Sequence, residues 1–309
     1  MKKPAFFTIV LLFTLESFSQ QVSVASGRVQ RFENFHSQFV AARTIDVWLP
    51  ESYAAGKKYA VLYMHDGQML FDSTSNWNHQ EWGVDETVGR LIKKKKIRGC
   101  IVVGIWNNGK FRHSEYFPQK PFESLTKKQQ DTIYASTRTK TEALFAANVQ
   151  SDRYLEFLVK ELKPFIDSAF STYSDRGNTF IAGSSMGGLI SLYAICEYPG
   201  IFGGAACLST HWPGTFGTQN NPVPAAFMSY LNAHLPDPSS HKIYFDYGDQ
   251  TLDSMYKPFQ VQADAIMKSK GYTSKNWMTR EFPGANHSEK AWARRFYIPL
   301  EFLLSSGGK

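Results

Sequence analysis

The stretch Phe180-Ile-Ala-Gly-Ser-Ser-Met-Gly-Gly-Leu189 places Ser185 in a Gly-x-Ser-x-Gly frame. A short apolar segment at 179–182, typical of a strand, precedes the frame, and apolar residues at helical spacing follow it. A serine on such a tight strand-to-helix turn needs flanking residues without side chains, which Gly183 and Gly187 provide. The stretch therefore predicts a nucleophile elbow, with the Ser185 hydroxyl projecting from the sheet into solvent.

Short segments rich in β-branched and aromatic residues recur along the chain and alternate with helical patterns in its second half. The segments that predict strands are 39–49, 59–64, 100–105, 179–182, 205–208, 243–247 and 277–282. The clearest helical patterns cover 152–170, 258–270 and 289–304. This alternation predicts an α/β fold with a mostly parallel central sheet and helices on both faces. The first two strands are separated by a short turn and are expected to pair antiparallel.

The chain of 309 residues contains no linker rich in Pro, Gly or Ser that would divide it. We therefore expect a single domain over residues 20–309. Two long stretches, near 107–148 and 210–240, the first of them polar and aromatic, predict lid-like insertions above the sheet.

The N-terminus has the pattern of a secretory signal peptide over residues 1–19. Lys2 and Lys3 precede an apolar run, 5–15, that small residues follow. The run is too short to cross a bilayer comfortably, so no stable membrane insertion is expected. These features predict export to the periplasm or the cell exterior.

The charge, motifs and cysteine content of the chain argue against nucleic-acid binding, against metal or cofactor binding, and against a disulfide framework. The formal net charge is +7 and falls to +6 once residues 1–20 are removed. The dense run Lys93–Lys96 follows a helical pattern, which favours a solvated helix end over a nucleic-acid surface. No zinc-type spacing or phosphate-binding loop occurs, so neither a metal nor a cofactor is expected. Cys100, Cys196 and Cys207 lie in apolar surroundings and are expected to pack rather than to form disulfides.

A serine needs a base to take its proton and a carboxylate to orient that base. On this fold the order is serine, acid, histidine, each at the carboxyl end of a strand. Of the histidines after Ser185, only His287 follows the last predicted strand, in a loop before the last helix. His211, which follows the strand after the elbow, is interpreted as a pocket-wall or structural residue.

Two aspartates compete for the role of the acid in the loop that follows the 243–247 strand. Asp253 is favoured over Asp249 because the chain needs a few residues of loop to return towards His287. Asp246 lies inside the strand and is less suited to reach a loop histidine. The alternative for each is a helix cap or a surface carboxylate.

The oxyanion of an attacked ester needs two backbone N–H donors. Met186, the residue after the nucleophile, supplies one, and the segment His65-Asp-Gly-Gln68 after an early strand is expected to supply the other through Gln68. Gly67 would let this backbone approach the substrate.

Three motifs together resemble the putative-esterase family of α/β-hydrolases. They are Asp66-Gly-Gln-Met-Leu-Phe71, Gly183-Ser-Ser-Met-Gly-Gly188 and Gly284-Ala-Asn-His-Ser-Glu289 followed by Trp292. The family includes enterochelin esterases, S-formylglutathione hydrolase, mycolyltransferases, and feruloyl and acetylxylan esterases. The resemblance spans roughly residues 40–305, and it implies Ser185 as nucleophile, His287 as base and Gly67–Gln68 as the oxyanion loop.

These observations predict an exported serine hydrolase that cleaves carboxylic esters through an acyl-enzyme, with an acyl ester of a carbohydrate or phenolic compound as the substrate. A ferric-siderophore esterase, an acyltransferase and a non-catalytic polysaccharide-binding module remain alternatives. Trp82, Trp212 and Arg112 are candidate substrate-binding residues, although Arg112 is also suited to pin the lid. The oligomeric state is left open.

Overall fold

Eight strands form one mixed sheet in the computed structural model, which describes residues 22–74, 76, 78–217 and 219–305. The strand order is β1-β2-β4-β3-β5-β6-β7-β8. β2 pairs antiparallel with β1 and β4, and every other neighbouring pair is parallel. The predicted α/β class is confirmed, while the predicted signal peptide lies outside the described residues.

The strands are β1 Arg28–Phe35, β2 Arg43–Leu49, β3 Ala60–His65, β4 Cys100–Ile105, β5 Thr179–Ser184, β6 Gly204–Leu208, β7 Lys242–Gly248 and β8 Trp277–Phe282. The helices are α1 Val84–Lys93, α2 Arg112–Tyr116, α3 Gln119–Glu123, α4 Lys127–Tyr134, α5 Ser151–Glu156, α6 Lys163–Ala169, α7 Met186–Glu197, α8 Val223–His234, α9 Lys257–Ser269, α10 Glu289–Arg295 and α11 Tyr297–Leu304. A π-helical segment, Phe157–Leu162, joins α5 to α6, and short 3-10 helices cover Gly67–Met69, Gly109–Phe111, Arg176–Asn178 and Thr251–Met255.

The predicted pairing of the first two strands is wrong. β2 lies between β1 and β4, whereas β3 is parallel to both of its neighbours, β4 and β5. The reason is β1, an edge strand whose residues are all partly or fully exposed and which therefore carries no continuous apolar run. Its presence gives β2 an antiparallel partner that sequence patterning does not reveal.

Side chains alternate along the buried strands and form a core on each face of the sheet. In β3, Val61 and Tyr63 join one core, and Ala60, Leu62 and Met64 join the other. Helices from α5 to α9 cover the first face, while α1, α10 and α11 cover the second. This double coverage is why β3 to β7 are buried almost throughout.

The helical pattern at 289–304 is divided into α10 and α11 at Phe296. Pro299 explains the break, because its ring displaces the carbonyl of Arg295 and it lacks the N–H that would bond that carbonyl. None of the helices in the described part of the chain combines the length and apolar character that a bilayer crossing requires.

The two long stretches of the sequence occupy different places. Segment 107–148 contains α2, α3 and α4, and α2 packs against α5 and α7. Segment 210–240 contains α8, which packs against α3 and α9.

The three cysteines are buried and unpaired, as predicted. Burial raises the pKa of the Cys100 thiol to about 12, so this thiol stays protonated at neutral pH. Burial also raises the pKa of the Cys196 and Cys207 thiols. The cysteines therefore act as small apolar residues.

We expect Gly183→Ala to lower the free energy of unfolding by about 1–3 kcal/mol. A Cβ at this position would lie 2.8 Å from the backbone carbon of Gly187, and neither segment can move aside without opening the junction of β5 and α7. Chemical denaturation would measure the effect. Gly200→Ala is the control, since no atom lies within 4 Å of its added Cβ; equal stability of the two variants would contradict the prediction.

Candidate active site

Ser185 lies on the turn between β5 and α7 with φ 58° and ψ −122°, a conformation that residues with side chains rarely adopt. The turn is held from both sides. The Ser185 N–H donates to the carbonyl of Leu208 at 2.9 Å, and the Ser185 carbonyl accepts from the N–H of Gly188 at 3.0 Å and of His211 at 3.2 Å. Ser185 thereby faces a cleft of about 1060 Å³ at the carboxyl end of the parallel strands.

His287 lines the same cleft from the loop between β8 and α10. Its Nδ1 is 2.6 Å from Oδ1 of Asp253, and its backbone N–H donates to Oγ1 of Thr251 at 2.9 Å. The imidazole also packs edge-on against Trp292, with ring centroids 4.9 Å apart. These contacts fix the ring and assign Nδ1 as the donor to Asp253, which leaves Nε2 as the basic nitrogen.

Within the described residues, the Ser185 hydroxyl is not hydrogen-bonded to Nε2 of His287. The two residues nevertheless border one cleft, so they are available to the same ligand. Serine–histidine hydrogen bonds are often long in an unliganded site and tighten when substrate binds.

The structure brings Asp253 to His287 and leaves Asp249 apart. Asp249 is partly exposed and accepts a hydrogen bond from the N–H of Gly284 at 2.7 Å, so it supports the loop that carries His287. Asp253 is buried on the 3-10 helix that follows β7. Burial alone would raise the pKa of Asp253, but the hydrogen bonds that this carboxylate accepts and the nearby imidazole give a net lowering. Asp253 therefore stays ionised.

The predicted oxyanion donors, the N–H groups of Gln68 and Met186, have no hydrogen-bond partner in the described part of the chain. Gln68 and Met69 line the cleft beside Ser185. Gly67 is required here, because an added Cβ would lie 2.6 Å from the carbonyl carbon of Gly104. Two free amides near a nucleophile are what a developing oxyanion needs.

Asp66 adopts the left-handed conformation, with φ 57° and ψ 47°, just before Gln68. Nε and Nη2 of Arg112 each donate to one of its carboxylate oxygens at 2.7 Å, and Nδ2 of Asn107 donates at 2.7 Å as well. Burial would raise the pKa of Asp66, but Arg112 outweighs it and lowers that pKa. The bidentate pair stabilises the strained turn that aims Gln68.

The three candidate substrate-binding residues have different positions. Arg112 and Trp82 line the cleft, although the guanidinium of Arg112 is committed to Asp66 and Trp82 packs against Trp292 with centroids 5.4 Å apart. Trp212 is 1% exposed and donates its Nε1–H to Oε1 of Gln260 at 3.0 Å. The prediction that Trp212 contacts a substrate is not supported, because its indole belongs to the core beneath α9.

Sequence reasoning did not assign a role to Tyr256, which stands between the candidate triad and His211. Its hydroxyl is 2.7 Å from Nδ1 of His211, and its ring lies 5.8 Å from that of His287. Burial raises the pKa of Tyr256, the charge of Asp253 adds to this, and an interaction with the Ser185 side chain opposes it. His211 is buried and its pKa is well below the ordinary value. Both groups are therefore neutral neighbours of the triad, which agrees with the structural interpretation of His211.

The model of the family described as "Putative esterase" matches residues 37–300. The chain belongs to this family, as its three motifs predict.

Two curated relatives are each 25% identical to the chain. Uncharacterized protein YjcH of Bacillus subtilis matches over 58% of this chain, and the match spans only 60% of YjcH itself. An endo-1,4-beta-xylanase/feruloyl esterase of Xylanibacter ruminicola matches over 90% of this chain and 31% of the longer protein.

Solved structures share the fold at low identity. An IroE-like serine hydrolase from Shewanella oneidensis has a TM-score of 0.64 at 18% identity and covers 89% of this chain and 79% of its own. The feruloyl esterase module of Clostridium thermocellum, complexed with sinapinate, has a TM-score of 0.58 at 18% identity, with 90% and 88% covered. The enterobactin esterase from Shigella flexneri has a TM-score of 0.57 at 15% identity, with 89% and 59% covered.

We expect Asp253→Asn to lower kcat for hydrolysis of a chromogenic acetate ester by about a thousandfold or more, because an amide favours the wrong tautomer of His287. Asp249→Asn, the matched control, should stay within about tenfold of the unaltered protein, since this carboxylate only supports a loop. Steady-state kinetics measure both, and the reverse ranking would assign the acid to Asp249.

We expect Arg112→Lys to lower kcat by roughly tenfold with little change in KM. An ammonium cannot replace the two parallel hydrogen bonds from the guanidinium to Asp66 that position the Gln68 backbone. Arg153→Lys is the control; Arg153 also donates two hydrogen bonds, but to the backbone carbonyls of Phe39 and Gln38. A rise in KM at unchanged kcat would instead show that Arg112 binds the substrate directly.

Proposed function

We propose that the protein is an exported serine hydrolase that cleaves carboxylic esters through an acyl-enzyme. The observation that carries this proposal is the convergence on one cleft of a strained serine, a histidine tied to a buried carboxylate, and two unpaired backbone amides. These groups come from the ends of four strands, with Ser185 and Met186 following β5 and Gln68, Asp253 and His287 following β3, β7 and β8, so packing alone gives no reason for their meeting.

The reaction begins when an ester enters the cleft and Ser185 turns towards His287. Nε2 of His287 accepts the proton as Oγ attacks the ester carbon, and Asp253 stabilises the imidazolium through Nδ1–H. The N–H groups of Gln68 and Met186 bind the oxyanion, and losing one of them raises the barrier by roughly 3 kcal/mol.

Collapse of the tetrahedral intermediate breaks the bond to the alcohol, which leaves with the proton from His287. Water then attacks the acyl-enzyme, again assisted by His287, and releases the acid and the free serine. Every step uses side chains and backbone groups of this chain.

The proposed substrate is an acyl ester of a carbohydrate or a phenolic compound. The cleft wall supports this class because it combines amides with an aromatic surface. Asn78 donates to Glu289 at 3.0 Å beside Gln80, and Trp82 with Trp292 forms the apolar part. Such a mixture suits sugar hydroxyls and flat aromatic acids. The similarity to the xylanase/feruloyl esterase points in the same direction.

The ferric-siderophore alternative is favoured by one observation, the three cationic residues Lys110, Arg112 and Arg138 on the cleft wall formed by segment 107–148, of which Arg112 is paired with Asp66. Glu142 and Glu289 on the same cleft offset this charge, so an anionic ligand gains little from it. Hydrolysis of acetylated or feruloylated xylan, compared with a tricatecholate lactone, separates the two substrate classes. Activity on the lactone alone would overturn the first choice.

Export is proposed from the leader pattern at 1–19. Expression of the full chain in a bacterial host, followed by N-terminal sequencing of the fractionated protein, tests it. A cytoplasmic product that retains Met1 would contradict it.

A serine-directed fluorophosphonate should label the protein at Ser185. Ser185→Ala should abolish labelling and lower kcat for ester hydrolysis by at least about a thousandfold, because no other group replaces the nucleophile. Ser184→Ala, one residue earlier at the end of β5, is the control and should still be labelled. An unlabelled wild-type protein would favour the binding-module alternative, whereas a labelled protein that only transfers acyl groups to added alcohols would be an acyltransferase.

A further inference from the structure

Ser209, the first residue after β6, is fully buried beside the candidate triad. Its hydroxyl is 2.6 Å from Oδ2 of Asp253, 2.9 Å from Nε1 of Trp292 and 2.8 Å from Nη2 of Arg295. Its backbone has φ 41°, a strained value for a residue with a side chain. The hydroxyl is therefore fully satisfied by three side chains, as a buried polar group requires.

The direction of each hydrogen bond follows from the chemistry of the partners. The indole N–H of Trp292 and the guanidinium N–H of Arg295 can only donate, so they occupy both lone pairs of the Ser209 oxygen. The single proton of Ser209 must then go to Asp253, which can only accept. No other arrangement satisfies all four groups.

Asp253 consequently receives donors on both oxygens. Nδ1–H of His287 donates to Oδ1, while Ser209 and the N–H of Gly248 donate to Oδ2, each at 2.6 Å. The carboxylate is thereby held in the plane that faces His287, and part of its charge is spread onto Ser209.

Arg295 anchors the hydroxyl from behind. Its Nη2 also donates to Oδ1 of Asp246 at 2.9 Å and lies 3.9 Å from Oδ2 of Asp253. Tyr244 donates to the other oxygen of Asp246 at 3.0 Å. The two buried carboxylates thus share one guanidinium, and Ser209 is the link between it and the candidate acid.

We propose that Ser209 is a positioning residue for the hydrolytic reaction, setting both the orientation and the charge of Asp253. This inference rests on the proposed function and adds a fourth side chain to Ser185, His287 and Asp253. Ser209 touches no reacting atom, so its effect passes entirely through the carboxylate.

Loss of the Ser209 hydroxyl should shift the pH dependence of the reaction in one direction only, towards higher pH. Without that donor the charge of Asp253 is concentrated on the side of His287 and stabilises the imidazolium more strongly. The neutral imidazole, which is the active base, then forms only at higher pH. The charged groups that face Asp253 otherwise remain the same: His287 on one side and Arg295, paired with Asp246, on the other.

The test compares Ser209→Ala, Ser209→Cys and Thr210→Ala by kcat and kcat/KM against pH, with Tm measured in parallel. For Ser209→Ala we expect kcat to fall about tenfold and the acid limb of kcat/KM to move up by about one pH unit, because a hydrogen bond to a buried charge is lost. Ser209→Cys keeps a weaker donor of similar size and should lie between Ser209→Ala and the unaltered protein. Thr210→Ala removes the neighbouring buried hydroxyl, which donates only to the carbonyl of Cys207, and should change neither quantity.

A folded Ser209→Ala with the acid limb in its original place and kcat within twofold would overturn the proposal, even if its Tm were lower. If Ser209→Ala does not fold, Ser209→Cys decides by the same criteria. Ser185→Ala is assayed alongside: if the unaltered protein is no more active than Ser185→Ala, the proposed function itself fails. A fully active protein with no response at residue 209 rejects only the role of Ser209.

Discussion

The close contact between Gly183 and Gly187 is the constraint on which the site depends. Because an added Cβ at Gly183 would lie 2.8 Å from the backbone of Gly187, a glycine at 183 is what lets α7 begin directly over the end of β5, and Ser185 at this junction has a strained conformation. The strain, of about 1–3 kcal/mol for such a residue, is balanced by hydrogen bonds to the adjoining strand and helix. Leu208 accepts the serine N–H, and His211 donates to the serine carbonyl. The nucleophile is therefore held by the sheet itself.

The neighbouring strands bring the rest of the machinery to the same edge. β3 leads into the oxyanion loop, β6 into Ser209, β7 into Asp253 and β8 into His287. Because these strands are parallel, all their carboxyl ends point the same way, and short loops are enough to close the site. Segment 107–148 then forms one wall of the cleft and supplies Arg112, whose fork fixes the turn at Asp66.

Buried charge is the second organising feature. Asp253, Asp246 and Arg295 are all nearly inaccessible, and burying them separately would be costly. They are tolerated because Ser209, Gly248 and Tyr244 satisfy the carboxylate oxygens that the arginine does not reach. Burial alone would raise the pKa of both aspartates. For Asp253 the hydrogen bonds and His287 reverse this, whereas the pKa of Asp246 remains raised. Of the two buried carboxylates, Asp253 is therefore held in the ionised form more strongly than Asp246.

Sequence patterning by itself determined the α/β class, the family, the elbow at Ser185 and the place of His287 after the last strand. These features depend on local spacing or on chain order, which sequence reports directly. The same information left Asp253 and Asp249 in competition, missed β1, and put Trp212 among the substrate contacts. Only the tertiary structure decided these points, because each depends on what a side chain meets across the sheet: Asp253 meets His287, β1 meets β2, and Trp212 meets Gln260. Ser209 is the clearest case. A serine after a strand carries no distinctive sequence pattern, and its role is visible only because three residues distant in the chain bond to its hydroxyl.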